Sequence, residues 1–403
     1  MTIIIVGAGQ AAGQAAASLR QEGYEDRIVM IGDEAVPPYQ RPPLSKQYLS
    51  GEHDADKIMV RPAKFYEDRN IELRLGQTVT AINRKEKLVE IGDESISYEK
   101  LLIATGSRPR KLNIEGSDLT GIFYLRTKAD VDEIRSAFSD ASSLCIVGGG
   151  YIGLEVAAVA KSSGLDVHVL EMESRILQRV TTESMSAFYH DLHTSRGVAI
   201  HTETACSGFV GEDGRVTGVR CGDSIIEADM VIVGIGIIPN VELAQSAGLE
   251  VDNGIVVDDH CQTSDPDIYA AGDCTNHPNP ILGRRLRLES VPNAMDQART
   301  AAANILGGDK TYAAVPWFWS DQYELKLQMV GFSSDGSSSV RRGDADNLQF
   351  AQFYLRDGAV VAVDAVNSPK EFMVAKQLYG KVVDPARLAD PDTDLKEILA
   401  EVR

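Results

Sequence analysis

The chain has 403 residues, 43% of them hydrophobic and 25% charged, with a formal net charge of −19. It is too long for one ordinary core, so two or three domains are expected, and its acidity argues against nucleic acid or an anionic membrane surface as partner. No apolar run reaches the ~20 residues that cross a bilayer. Five scattered cysteines (Cys145, Cys206, Cys221, Cys261 and Cys274) point to a reducing cytoplasm and against a disulfide framework, a zinc site or an iron–sulfur site.

In chain order, Ile3-Ile4-Ile5-Val6 is a buried-type strand already at the start, which predicts no cleavable leader. Gly7-Ala8-Gly9-Gln10-Ala11-Ala12-Gly13 is a glycine turn that feeds a helix ending near Gly23. A second strand, Arg27 to Ile31, leads to Asp33 and Glu34, where a carboxylate can bond both hydroxyls of a ribose. A hairpin (Lys87–Ile91, Ser95–Tyr98) and an apolar strand follow, the strand closing at Ala104-Thr105-Gly106. The theme then recurs. Leu144-Cys145-Ile146-Val147 runs into Gly148-Gly149-Gly150, with Gly153 three further on and Glu171 closing the next strand 21 positions after Gly150. A second hairpin and a second apolar strand end at Gly234-Ile235-Gly236. Strand, glycine spacing and acid together form a dinucleotide-binding fingerprint, here present twice. The fold class expected is α/β, two Rossmann-like dinucleotide-binding domains on parallel sheets plus a C-terminal α+β domain. The domains are placed at 1–108 and 239–312 (first and second parts of the FAD-binding domain), 109–238 (NADH) and 313–403 (C-terminal interface).

Two dinucleotide sites in one chain suggest two cofactors exchanging a hydride, FAD on the first fingerprint and NADH on the second. Ala270-Ala271-Gly272-Asp273 ends a strand in a carboxylate able to bond ribityl hydroxyls; a plain strand-ending turn is the alternative. Glu171 predicts NADH over NADPH, because a carboxylate bonds a free 2′-hydroxyl and repels a 2′-phosphate; Arg175, four residues on, opposes this. Arg284-Arg285-Leu286-Arg287 is the best local basic patch, either a steering surface for an acidic protein or a solvated loop. On a strand Trp317 and Trp319 would share one side, while the preceding Pro316 points to an extended or turn geometry; they read as a flavin cover or a hydrophobic plug. Cys145 and Cys274 read as core thiols.

The chain resembles the FAD-dependent NAD(P)H reductases with two glutathione-reductase-type domains. More closely it resembles the NADH-dependent ferredoxin reductases, of the putidaredoxin reductase type, that serve haem-thiolate monooxygenases and ring-hydroxylating dioxygenases. Arg41-Pro42-Pro43-Leu44-Ser45-Lys46, Gly148 to Glu155, Gly234 to Asn240, Ser290 to Ala294 and Pro316 to Tyr323 carry the likeness. The resemblance implies that Gly7, Gly9, Ala11 and Ala12 meet the FAD diphosphate and that Asp33 takes its ribose. It places Arg41, Lys46, Val79, Ala104, Thr105, Gly106, Asp273 and Val291 along the rest of FAD, with Arg126 near the phosphates or ring and Trp319 beside the flavin. Gly148, Gly150, Tyr151, Ile152, Gly153, Glu155, Glu171 and Gly236 fall to NADH. Lys46 and Glu155 are the catalytic candidates, a charged pair at the flavin. Disulfide-reducing relatives carry a redox cysteine in the stretch matching Val36 to Leu49, and this chain has none there. The implied activity is therefore NADH to FAD to a [2Fe–2S] ferredoxin. A rubredoxin reductase, or a flavin-bearing interaction protein like apoptosis-inducing factor, is the alternative. Oligomeric state does not follow from the sequence.

Overall fold

The structure, a computed structural model, describes residues 2–402. The chain divides into two compact units. The first holds the chain up to Arg41, His53–Arg108 and Ile237–Ala314; the second holds Pro42–Glu52, Pro109–Gly236 and the chain from Val315 on.

In the first unit, Ile3, Ile4 and Ile5 are fully buried because their strand, Thr2–Val6, is the centre of a five-stranded parallel sheet. The order is Ile268–Ala270, Lys100–Ile103, Thr2–Val6, Arg27–Gly32, Ile71–Leu75. Helices Gln10–Gln21 and Val291–Ile305 pack together over one face. Their contact is made of alanine (Ala12, Ala15 and Ala16 with Ala294, Ala298, Ala301 and Ala302), which lets the two backbones come close. The second helix starts at Val291, since Ser290 caps it by accepting from the Asn293 N–H. The antiparallel strands Ala81–Asn83, Leu88–Ile91 and Glu94–Ser97 pack Val89 and Ile96 into the core of the other face.

The second unit repeats the plan. Ser143–Val147 is the middle of a parallel sheet ordered Val198–His201, Asp166–Leu170, Ser143–Val147, Met230–Val233, Ile122–Phe123. After Val315 comes a five-stranded antiparallel sheet ordered Trp317–Gln322, Leu325–Gly331, Ala359–Val366, Gln349–Arg356, Ser338–Asp344. Helices Pro369–Leu378, Pro385–Ala389 and Leu395–Glu401 cover it. The edge strand Ser338–Asp344 was not foreseen. Its sequence, SSVRRGD, has no apolar alternation, and its inward Arg342 is buried by bonding the carbonyls of Asp390, Pro391 and Thr393. Among the described residues no helix is long and apolar enough to cross a membrane.

Candidate functional site

The two glycine turns are built alike. Gly7 N–H donates to Ile31 O at 2.7 Å and Gly148 N–H to Leu170 O at 2.8 Å; Ala104 N–H reaches Val6 O at 2.7 Å and Gly234 N–H reaches Val147 O at 2.8 Å. Gly7 has φ +110° and Gly148 φ +116°. A β-carbon at Gly7 would lie 2.2 Å from Ala104 O, and one at Gly148 2.4 Å from Gly234 O. Both positions therefore require glycine, and Ala104 is part of the first turn through its carbonyl. The helices that follow, Gln10–Gln21 and Tyr151–Ser162, have Gly9 and Gly150 as N-caps, with no side-chain cap among the described residues. A β-carbon on Gly9 or Gly150 would meet nothing within 4 Å. Uncapped N–H groups at a helix start, facing open space, fit a diphosphate. The residues present thus fit a dinucleotide at each turn.

In the first unit, Asp33 follows strand Arg27–Gly32 and is exposed. Its neighbour Glu34 is already committed, accepting from Tyr39 Oη at 2.5 Å and from Arg41 Nη2 at 2.8 Å, so Asp33 is the carboxylate left for a ribose. Arg41 also reaches Tyr39 Oη at 3.1 Å. Asp273 Oδ2 accepts from Ser107 Oγ at 2.8 Å. The turn before it is held by Gln297, whose buried Oε1 takes the Gly272 N–H at 2.8 Å and Thr275 Oγ1 at 2.9 Å. Thr105 and Gly106 are tied to Asn240 by three bonds of 2.7 to 2.9 Å. Val79 is a core residue, and Val291 is the first residue of its helix. Gln297 was not singled out from sequence.

In the second unit, both Glu171 oxygens cap backbone: Oε2 takes the Gly149 N–H at 3.0 Å and Oε1 the Glu173 N–H at 2.9 Å. A carboxylate has about four acceptor positions, so room for a ribose hydroxyl remains. Arg175 is turned into its own loop, donating to Gln178 O and Thr181 O at 3.2 and 3.1 Å, which weakens the argument for a phosphate-binding role. Gly236 has φ +102° with open space beside it. Tyr151 donates to Met329 Sδ at 3.1 Å, and burial pushes its phenol well up. Ile152, at 46% exposure, is outward. The Arg126 backbone N–H joins the cap of helix Lys128–Phe138 through Asp130 Oδ2 at 3.0 Å.

Lys46 and Glu155 meet. Lys46 Nζ donates to Glu155 Oε2 at 2.6 Å, with side chains 9% and 4% exposed. Ser45 Oγ donates to the same oxygen at 2.5 Å, Ser320 Oγ donates to Oε1 at 2.7 Å, and Pro42 O lies 3.1 Å from Nζ. Sequence reasoning did not single out the two serines, although both stood in motifs that carried the resemblance. Alternation along strand Trp317–Gln322 explains the second: Ser320 and Gln322 are buried, while Trp317 and Trp319 share the opposite face with rings 5.8 Å apart. Lys376 Nζ lies 3.7 Å over the Trp317 ring. All five cysteines are free, and burial raises the thiols of Cys145, Cys261 and Cys274. Raised, buried thiols are poor redox nucleophiles.

A profile of the pyridine nucleotide-disulphide oxidoreductases matches residues 1–298, and a reductase C-terminal profile matches residues 317–399. Rhodocoxin reductase of Rhodococcus erythropolis is 43% identical over 405 residues, covering 99% of this chain and 95% of its own. The anthranilate 1,2-dioxygenase system ferredoxin–NAD(+) reductase component of Burkholderia cepacia is 44% identical, covering 98% of each. The crystal structure of the covalent putidaredoxin reductase–putidaredoxin complex matches with a TM-score of 0.96 at 44% identity, over 100% of this chain and 98% of that one.

Proposed function

The chain belongs to the pyridine nucleotide-disulphide oxidoreductases, and we propose that its two glycine turns and its Lys46–Glu155 pair serve one electron path, from NADH through FAD to a [2Fe–2S] ferredoxin. It is a ferredoxin–NAD(+) reductase whose ferredoxin feeds a haem-thiolate monooxygenase or a ring-hydroxylating dioxygenase. The observation that supports this most is the doubled glycine turn, open and uncapped in both copies, which offers one dinucleotide site per unit.

Residues 1–108 and 239–312 hold FAD. Gly7, Gly9, Ala11 and Ala12 take its diphosphate, Asp33 its ribose and Asp273 its ribityl chain, with Arg41, Val79, Ala104, Thr105, Gly106 and Val291 shaping the remainder. Residues 109–238 hold NADH through Gly148, Gly150, Tyr151, Ile152, Gly153, Glu171 and Gly236. Residues 313–403 present Trp319 and the partner-facing surface. Bound flavin supplies the exchange between two-electron and one-electron chemistry. Lys46 holds a positive charge at a fixed place, because Glu155, Ser45 and the Pro42 carbonyl all bond its Nζ. An ammonium fixed in a site of low exposure stabilises developing negative charge without reorganising. Glu155 is the counter-charge of that ammonium and is itself held by two hydroxyls. With no redox cysteine in the Val36–Leu49 stretch, electrons leave to an external centre. A reducing, cytoplasmic location agrees with five free thiols.

The test is anaerobic reduction with NADH followed by rapid mixing with [2Fe–2S] ferredoxins and rubredoxins. Fast reoxidation by a ferredoxin is expected. Reoxidation by rubredoxins alone would replace the acceptor, and a long-lived reduced form with every acceptor would replace the enzyme by a flavin-bearing interaction protein.

A further inference from the structure

Glu155 stands at one end of a buried hydrogen-bond chain. Ser320 Oγ is 2.7 Å from Glu155 Oε1, Gln322 Nε2 is 3.2 Å from Ser320 Oγ, and Gln322 Oε1 is 2.8 Å from His193 Nε2. Tyr323 Oη lies 3.3 Å from His193 Nδ1 and closes the far end. His193, Ser320 and Gln322 are each at most 1% exposed. They come from helix Glu183–Thr194 and strand Trp317–Gln322 and meet a residue of helix Tyr151–Ser162.

The direction of every link is forced. A carboxylate paired with an ammonium only accepts, so Ser320 donates its one proton to Glu155. Ser320 Oγ must then accept from Gln322, which it does from the amide nitrogen. That leaves Gln322 Oε1 facing His193 Nε2, so Nε2 carries the imidazole hydrogen. Nδ1 is bare and accepts from the Tyr323 hydroxyl. Burial agrees, lowering His193 to about 4 and keeping the ring neutral. The charged or titratable groups around it are Tyr323, Arg196 and His190, and those around Glu155 are Lys46, Tyr151 and Tyr189. Each donor of the chain is thus directed at the next group toward Glu155, and hydrogen bonds aligned head to tail polarise one another.

We propose that His193 is a positioning residue of the reductase: its Nε2–H orients the Gln322 amide, which orients Ser320, which holds Glu155 in place against Lys46. The kinetic part of this rests on the reading above; the spectroscopic part needs only the protein with FAD.

The first measurement is 15N NMR of the histidine side chains in the holoenzyme, with His193 assigned by its loss in His193→Gln. An Nε2–H, Nδ1-bare ring is expected; an Nδ1–H ring overturns the proposal. The second compares His193→Leu with His193→Gln, whose amide can still donate to Gln322. His193→Leu should lower kcat about tenfold with KM for NADH within about twofold, and His193→Gln should restore most of the loss. The visible circular dichroism of the bound flavin should change in His193→Leu and return in His193→Gln. Equal behaviour of the two variants, or an unchanged spectrum and kcat in His193→Leu, sinks the idea. If His193→Leu does not fold, Ser320→Ala removes the last link directly and must show the same spectral change. Failure of the wild type to reduce any ferredoxin would remove the reading above and leave the NMR and dichroism results standing.

Discussion

Lys46 Nζ and Glu155 Oε2 are 2.6 Å apart, and neither side chain is more than 9% exposed. Removing one partner of such a pair leaves a buried charge alone, at about 3–5 kcal/mol. Lys46→Met should therefore lower stability by an amount of that order and slow NADH-driven flavin reduction by at least about tenfold. The double variant Lys46→Met/Glu155→Met separates the two effects. It should regain much of the stability, since no charge is stranded, and none of the rate. Thermal melting and stopped-flow reduction measure them. An unchanged reduction rate in Lys46→Met would falsify the catalytic role.

The glycine turns should separate the two nucleotides. A methyl at Gly7 points into Ala104 O and one at Gly148 into Gly234 O, both from positive-φ backbone. Gly7→Ala should yield protein short of FAD, visible as a low ratio of flavin absorbance to protein. Gly148→Ala should keep its FAD and raise KM for NADH by about tenfold or more. Loss of flavin from Gly148→Ala would mean that the copies are assigned the wrong way round.

Those turns were legible in the sequence because they answer to backbone demands: positive φ, a close carbonyl and an uncapped helix start each restrict residue type at a fixed spacing. The fold class followed from the duplication for the same reason. The surroundings of Glu155 were not legible. His193 and Gln322 bond across 129 positions of sequence, and nothing local to either marks the other. The strand Ser338–Asp344 was missed because its inward side chain is an arginine, which satisfies burial by bonding carbonyls and so breaks the alternation that identifies strands. Trp317 and Trp319 fell between two geometries from sequence alone, and only their pairing with Val330 and Gln328 settles a strand.

Nucleotide preference should lie in Glu171. Its two oxygens brace the glycine turn through Gly149 and the loop through Glu173. Glu171→Gln removes the charge that repels a 2′-phosphate while keeping an acceptor for one N–H. The NADH-to-NADPH ratio of kcat/KM should fall by about tenfold or more, mainly through better use of NADPH. Steady-state kinetics with both nucleotides checks this, and a wild type that uses NADPH equally well would remove the premise.

Stability should depend on pH through Asp364. Its carboxylate accepts from Tyr354 Oη at 2.8 Å and Thr181 Oγ1 at 3.0 Å, yet burial dominates and raises it to about 6 from 3.8. The folded chain thus holds this proton more tightly than the unfolded one. The favourable contribution is complete below the unfolded value and is lost as pH rises through about 6. Above that the ionised form carries a burden of about 3 kcal/mol. His193 and His277, both lowered to about 4 by burial, act oppositely: their contribution is present above 6.5 and lost as pH falls through about 4. Asp364→Asn should raise the melting temperature at neutral pH and steepen the loss on acidification. Parallel melting curves for variant and wild type from neutral to acid pH would contradict the assignment.

The basic run Arg284-Arg285-Leu286-Arg287 should matter more for folding than for docking. Arg285 spends its guanidinium on Val257 O at 2.7 Å, Asn276 O at 2.6 Å and Asn276 Oδ1 at 3.2 Å. Arg287 is bound to Glu289 Oε1 at 2.5 Å and Asn253 Oδ1 at 3.2 Å, so an acid already balances its charge. A cation so matched contributes little to the field that steers a charged partner. Arg285→Ala should cost about 2–3 kcal/mol of stability, since it strands two carbonyls that the guanidinium served. The salt dependence of ferredoxin reduction should stay that of the wild type in Arg287→Ala/Glu289→Ala, which removes a matched pair and leaves the net charge unchanged. Denaturant melts give the first quantity, and stopped-flow rates over a range of ionic strength give the second. A flattened salt dependence with unchanged stability would return the cluster to the docking surface.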